Sequence, residues 1–125
     1  GYNYRMPNIN AALGCAQLEQ LPNFIEQKRQ LADRYRKAFE KIQGVTFFQE
    51  TNFAKSNYWL NVLLLDSEYA NLRDKLLELT HKVGILTRPA WELMPELPMY
   101  KDCPNMNLEV AADIIKMLIN LPSGV

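Results

Sequence analysis

The sequence predicts a two-layer α+β domain in which helices pack on one face of a small three-stranded sheet. Two observations carry this prediction: several segments repeat apolar residues at helical spacing, and three short runs are rich in β-branched and aromatic residues. A chain of 125 residues can bury one hydrophobic core. We therefore expect one core, without internal repeats.

The first predicted helix covers residues 8–20, where apolar side chains recur at helical spacing. Asn8 is suited to the N-cap because its side chain accepts hydrogen bonds from unpaired amides. Pro22 lacks a backbone N–H, so we expect this helix to stop or kink there.

A longer helix is predicted from Asn23, and Gly44 is its expected end. Its charged residues mostly occupy the faces away from the apolar stripe. We therefore divide the chain into an interdomain and active-site segment over residues 1–21 and a small α+β domain over residues 22–125.

Three strands are predicted from local composition. Val45–Gln49 and Ile85–Arg88 are short, whereas Tyr58–Leu65 is a nearly continuous apolar run. Such a run is typical of a central strand that is covered on both faces. The polar residues 50–57 are expected to form an exposed connection.

Two further helices complete the predicted elements. One begins at Asp66 and ends at Gly84, and the other covers Leu108–Leu121 and is terminated by Pro122. Between them, the proline-rich residues 89–107 lack sustained periodicity, and long loops of this kind are often functional or disordered.

Charge and hydropathy exclude several classes of protein. Acidic and basic side chains balance to a formal net charge of zero, which is untypical of proteins that bind nucleic acid or anionic membranes. No apolar run approaches the roughly 20 residues that span a bilayer, and no secretory signal is visible, so we expect a cytoplasmic domain. Cys15 and Cys103 are expected to be free thiols, and no metal-ligand spacing occurs.

One candidate binding region is the loop after the third predicted strand. Arg88 supplies a cation there, and Trp91 and Tyr100 supply broad faces suited to binding a small molecule. Packing at the edge of the core is an equally good interpretation of both aromatic residues. No residue is assigned a catalytic role, because most lysines lie on the polar sides of predicted helices; Lys55 and Lys101 lie in loops.

Three motifs resemble one known family. They are the stretch GYNYRMPNINAALG at residues 1–14, the stretch QLEQL at residues 17–21, and the closing NLPSG at residues 120–124. Together they resemble the C-terminal domain of the DegT/DnrJ/EryC1/StrS sugar aminotransferases. That resemblance implies an aspartate-aminotransferase-like fold and pyridoxal 5'-phosphate (PLP) as cofactor.

The resemblance also implies roles for two residues of the first motif. Relatives place the asparagine equivalent to Asn3 against the cofactor phosphate of the other subunit, which implies a homodimer. Arg5 is able to pair with an anionic oxygen of the substrate or cofactor. The competing interpretation is that both residues only order a turn. In the family the Schiff-base lysine lies upstream, and because the chain starts at a glycine within a motif, we expect a fragment that is inactive alone.

The function implied is transfer of an amino group, with L-glutamate as donor, to a nucleotide-linked keto-deoxy sugar. Relatives use the loop after the third strand to line the substrate pocket, which implies that Arg88, Trp91 and Tyr100 bind this substrate. Many relatives carry a histidine in the loop after the third strand, whereas the single histidine here, His81, lies on the preceding predicted helix. The acceptor sugar therefore stays open. Two alternatives are a non-catalytic relative that dimerises or senses a ligand, and a free-standing α+β binding domain.

Overall fold

The computed structural model describes residues 2–124 and contains a four-stranded antiparallel sheet. The strands lie in the spatial order β1, β2, β4, β3, so β2 and β4 are central. Their bounds are Val45–Phe47 for β1, Asn61–Leu65 for β2, Arg88–Pro89 for β3 and Leu118–Leu121 for β4.

Three α-helices accompany the sheet: α1 over Asn8–Phe39, α2 over Arg73–Lys82 and α3 over Glu109–Met117. Short 3-10 helices occupy Ser67–Leu72, Met94–Glu96 and Pro98–Tyr100. No helix within residues 2–124 combines the length and the hydropathy that a membrane crossing requires.

The core lies between the helices and one face of the sheet. Phe47, Leu63 and Ile119 stand opposite one another on neighbouring strands, and residues paired in this way share a face. Ala32 of α1 is buried against them, and Leu77 of α2 packs on the same cluster. The predicted two-layer α+β architecture is therefore confirmed. We call the opposite side of the sheet the outer face.

Helix α1 continues through Pro22, and the prediction of a stop there was wrong. Proline removes one helical hydrogen bond, that to the carbonyl four residues earlier, at Leu18. Both Leu18 and Pro22 are exposed, so water is available to the unpaired carbonyl. The boundary we expected near residue 21 therefore falls inside a single helix of 32 residues.

The sheet has one strand more than predicted, because the last predicted helix ends early. Helix α3 stops at Met117, and residues 118–121 form β4. Apolar residues at 118, 119 and 121 suit a helix or a strand equally well in sequence. Backbone pairing with β2 on one side and β3 on the other decides between them.

The third strand is shorter than predicted and lies later, at Arg88–Pro89. Residues 85–87 instead turn back towards α2, where the Ile85 amide donates to the Thr80 carbonyl. Thr87 is only 2% exposed, and its hydroxyl lies 2.5 Å from the hydroxyl of Thr80. This buried contact draws the segment out of the sheet.

Gly84 follows the end of α2 as predicted, whereas the prediction that Gly44 ends the long helix was wrong, because α1 ends at Phe39 and Gly44 directly precedes β1. Gly44 has φ +82° and Gly84 has φ +80°, in the left-handed region that favours glycine. A Cβ on Gly44 would lie 2.6 Å from the Tyr69 ring, whereas a Cβ on Gly84 would have no neighbour within 4 Å among the described residues. Gly44 therefore also permits a close approach.

Candidate functional site

The segment before α1 carries the first pair of predicted site residues. Asn3 and Arg5 are both exposed, and Asn3 Oδ1 accepts hydrogen bonds from the backbone N–H of Arg5 at 3.1 Å and from its Nε at 3.2 Å. The rings of Tyr2 and Tyr4 lie 6.2 Å apart. Gly1, the first residue of this motif, lies outside the described residues. The structure thus brings Asn3 and Arg5 together in an accessible turn.

This turn leads directly into the N-terminus of α1. Pro7 occupies the N-cap position and makes no side-chain capping hydrogen bond. The first amides of a helix lack partners within the helix and attract anions. The hydrogen bonds that the structure gives Asn3 within residues 2–124 use only its Oδ1, which leaves its amide N–H groups for an anionic oxygen.

A cleft on the outer face contains two of the other predicted residues. It has a volume of about 370 Å³ and an apolar lining apart from Arg88 and Asn120. Arg88 and Trp91 both contribute to its walls, so the structure places them together. Tyr100 does not line it and belongs to a short 3-10 helix of the following loop. The remaining lining residues are Trp59, Leu60, Pro89 and Ala90.

Trp59 is the member of this cleft that the sequence analysis missed. The sequence predicts it near the start of a strand covered on both faces, but β2 begins only at Asn61 and Trp59 is 68% exposed. The preceding residue, Tyr58, has φ +47°, a conformation that is rare for bulky residues. Neither the composition nor the periodicity of a sequence predicts that a single residue will adopt a positive φ.

The polar connection between β1 and β2 is anchored to α1 rather than loosely exposed. Arg29 Nη2 lies 2.5 Å from Glu50 Oε1, and Arg29 Nη1 donates to the Ser56 carbonyl at 2.6 Å. Glu50 Oε2 accepts from the Ser56 backbone N–H at 2.5 Å. We call Arg29, Glu50 and Ser56 the loop clamp.

The loop clamp shifts the titration of both charged partners. The hydrogen bond from Arg29 and then that from the Ser56 amide lower the pKa of Glu50 to about 2. The hydrogen bond to Glu50 is also the main cause that raises the pKa of Arg29. Both groups therefore stay charged at neutral pH, and the carboxylate is occupied by these contacts rather than available for acid–base chemistry.

The closing motif has a structural role within the described residues. Ser123 Oγ accepts from the Asn61 backbone N–H at 2.9 Å and from its Nδ2 at 3.0 Å, and it donates to the Leu121 carbonyl. Lys28 Nζ donates to the Ser123 carbonyl, and Tyr35 donates to the Pro122 carbonyl. These contacts tie the residues after β4 to β2 and α1.

The lysines and the histidine offer little further chemistry. Among the described residues, Lys37, Lys82 and Lys116 each pair with an acidic residue of their own helix. His81 is exposed, with its Nε2 2.5 Å from the Thr87 carbonyl oxygen, away from the cleft lining. Residues 2–124 contain no cluster of His, Cys, Asp and Glu able to hold a metal ion.

The sequence is similar to those of two enzymes named for amino sugars. The chain is 38% identical over 129 residues to GDP-perosamine synthase of Escherichia coli O157:H7, covering 98% of this chain and 32% of that protein. It is 30% identical over 126 residues to dTDP-4-amino-4,6-dideoxy-D-glucose transaminase of Escherichia coli, with 98% and 34% covered. The chain thus spans about a third of the length of these relatives.

The fold agrees with a solved structure of the same kind. Helicobacter pylori PseC, an aminotransferase involved in the biosynthesis of pseudoaminic acid, superposes with a TM-score of 0.87 at 26% identity. That superposition covers 98% of this chain and 33% of PseC. The sequence model of the DegT/DnrJ/EryC1/StrS aminotransferase family matches residues 1–125. The chain therefore belongs to the DegT/DnrJ/EryC1/StrS aminotransferase family.

Proposed function

We propose that this chain is the C-terminal part of a PLP-dependent aminotransferase that transfers an amino group from L-glutamate to a nucleotide-linked keto-deoxy sugar. The observation that carries the proposal is the family match over the whole chain. Relatives named for amino sugars linked to GDP and dTDP support the substrate class. We assign the reaction to the biosynthesis of cell-surface polysaccharide or related sugars in the cytoplasm.

The residues of the N-terminal turn fit a phosphate-bearing cofactor. Asn3 keeps its amide donors, Arg5 supplies a guanidinium, and the N-terminus of α1 follows at Asn8. These are the donor types that hold a phosphate. When bound, PLP supplies the electron sink that lets an amino group leave an amino acid and be delivered to a ketone.

This chain's own contribution is binding and orientation. Asn3 and Arg5 are proposed to hold the cofactor phosphate, or an anionic group of the substrate, in the partner subunit of a homodimer. Arg88 and Trp91 are proposed to hold the nucleotide-linked substrate in the outer-face cleft, with Tyr100 on the loop that follows. The lysine that carries the cofactor is proposed to lie upstream, so that residues 1–125 alone are inactive.

The first test is an absorbance spectrum of the longer protein with added PLP. We expect a visible band from protein-bound PLP and its loss on addition of L-glutamate. The 125-residue chain alone should give no such band. If the longer protein gives none either, the alternative of a non-catalytic relative that dimerises or senses a ligand replaces the proposal.

The second test addresses the binding roles separately from turnover. Asn3→Ala should lower the affinity for PLP, measured by equilibrium dialysis, without changing the affinity for a nucleoside diphosphate. Arg88→Ala should do the reverse. A matched control is Arg34→Ala, which removes an exposed cation of α1 outside both sites and should change neither affinity.

A further inference from the structure

We propose that Trp59 is an aromatic wall of the outer-face cleft that stacks on the base of a nucleotide, and that the loop clamp positions it there. The inference rests on the proposed function, which supplies a nucleotide-linked ligand, and it assigns the base of that ligand to Trp59. Neither the sequence motifs nor the family resemblance pointed to this residue or to the clamp.

The exposure of the two tryptophans is the first observation. Trp59 is 68% exposed and Trp91 is 72% exposed, although tryptophan is highly buried on average. Both line the same cleft, and Arg88 lies in that lining as well. Two large apolar faces around one cation form a surface suited to a flat, anionic ligand. Side chains this exposed contribute little to the hydrophobic core.

The backbone before Trp59 is the second observation. A non-glycine residue in the left-handed region is strained and persists only where its surroundings fix it. Tyr58 is such a residue, with φ +47°. In β2, Asn61, Leu63 and Leu65 are buried, so continued alternation would put Trp59 on the core face as well. Instead the Tyr58 ring packs against the core and Trp59 lines the outer-face cleft. The left-handed conformation of Tyr58 therefore marks the point where the alternation is broken and Trp59 comes to the outer face.

The clamp and its neighbours fix this conformation together with the packing of the Tyr58 ring on the core. The Arg29 guanidinium lies 5.5 Å from the centroid of the Tyr58 ring while it holds Glu50 and the Ser56 carbonyl. Ser56 Oγ accepts from the Tyr58 backbone N–H at 2.9 Å. The Trp59 backbone N–H donates to Asn57 Oδ1 at 3.0 Å. Arg29 and Glu50 are thus positioning residues for Trp59.

The chemistry of the lining favours the base over the sugar. A sugar ring presents several hydroxyl groups that need hydrogen-bonding partners, whereas a base can stack on apolar and aromatic surface. The cleft offers two polar side chains, and Asn120 Nδ2 already donates to the Pro89 carbonyl at 3.0 Å. Arg88 then matches the diphosphate, which the ribose or deoxyribose joins to the base. A volume of about 370 Å³ lies within the range of small-ligand sites.

Binding of UDP, dTDP and GDP to the longer protein tests the stacking role by isothermal titration calorimetry. We expect at least one of them to bind, Trp59→Ala to weaken that binding about tenfold, and Trp59→Phe to restore most of it. Because Trp59 is exposed, its removal should leave the melting temperature unchanged. If none of the three nucleotides binds, or if Trp59→Ala binds as tightly as the wild type, the inference is wrong.

A double-mutant cycle tests the positioning role. Glu50→Gln should weaken nucleotide binding in the wild-type background but add little to Trp59→Ala, because both changes act through the same side chain. If Glu50→Gln does not fold, Arg29→Lys replaces it, since lysine keeps the charge and loses the two-pronged contact. Full additivity of the two changes would contradict the positioning role.

The control for the cycle is Glu78→Gln, which removes the exposed Glu78–Lys82 pair of α2 without touching the cleft. It should leave nucleotide affinity unchanged. Failure of the proposed activity is distinguishable from failure of this inference. If nucleotide affinity depends on Trp59 but no amino transfer is measured, only the proposed activity is wrong. If amino transfer is measured but nucleotide affinity does not depend on Trp59, only this inference is wrong.

Discussion

The two halves of α1 have similar sequence patterns and opposite environments. Before Pro22, the apolar residues Ile9 and Leu13 are 82% and 61% exposed. After Pro22, Ala32 is 3% exposed and packs against the core. An apolar stripe thus predicts that a helix has a partner but not where the partner lies. The second subunit of the proposed homodimer is our candidate partner for the first half.

The largest expected effect comes from introducing a charge into each half. Ala32→Asp should lower the free energy of unfolding by about 3–5 kcal/mol, because it buries an unpaired carboxylate. Ala16→Asp, in the exposed half, should lower it by about 0.7 kcal/mol, which is the difference in helix propensity. Urea titration of the 125-residue chain by circular dichroism measures both. Equal effects at the two positions would abolish the contrast between the halves.

The next effect concerns the glycine that follows the packed half. Gly44→Ala should destabilise the chain by about 2–4 kcal/mol, because it combines a left-handed backbone with a clash at the Tyr69 ring. Gly84→Ala is the matched control, since it has nearly the same φ and open space around the new Cβ, and it should cost about 1 kcal/mol. Similar losses of thermal stability for the two variants would mean that the Tyr69 contact is unimportant.

A pH titration examines the ion pair that anchors the packed half to the β1–β2 connection. The pKa of Glu50 is lowered to about 2 in the folded chain from an ordinary value of 4.5. Its contribution to stability is therefore complete above about pH 4.5 and is lost as the pH falls through about 2. Glu50→Gln should flatten the melting temperature over this window. If the melting temperature of the variant falls with decreasing pH as steeply as that of the wild type, other carboxylates cause the loss of stability in acid.

The smallest expected effect has the opposite sign and lies in the exposed half. Gly14→Ala should stabilise α1 by up to about 1 kcal/mol, because alanine has the higher helix propensity. A Cβ at Gly14 would meet nothing within 4 Å among the described residues. Far-UV circular dichroism should show a gain in helix content. In the longer protein, a loss of dimer with this variant would show that a second chain approaches the Gly14 backbone closely.

Local pattern predicted most of the secondary structure, and tertiary pairing accounts for the errors. The existence of α2 and of β2 follows from local spacing and composition. β4 could not be predicted this way, because its four residues fit either period and only the neighbouring strands select the extended form. The wrong prediction of a helix end at Pro22 has a related cause. Where a helix is exposed, water can bind the carbonyl that proline leaves without a partner, so the helix can continue.

The candidate site likewise contains residues that local sequence predicts and residues that only the tertiary structure brings together. Arg88 and Trp91 were found because a cation and an aromatic residue in a proline-rich loop are visible in sequence, and the structure places them in one cleft. Their neighbour Trp59 was not found, because its position depends on the φ of Tyr58. The loop clamp was missed because it joins residues 21 positions apart, Arg29 and Glu50, which no local pattern relates.

The spatial order of the strands differs from the order in which a ribosome makes them. β4 lies between β2 and β3 but is synthesised after both. Until it emerges, β2 has β1 alone as neighbour and presents an unpaired edge beside the apolar residues Leu63 and Leu65. An open edge of this kind invites pairing with other nascent chains. The last strand therefore completes the sheet and also ends its exposure to aggregation during translation.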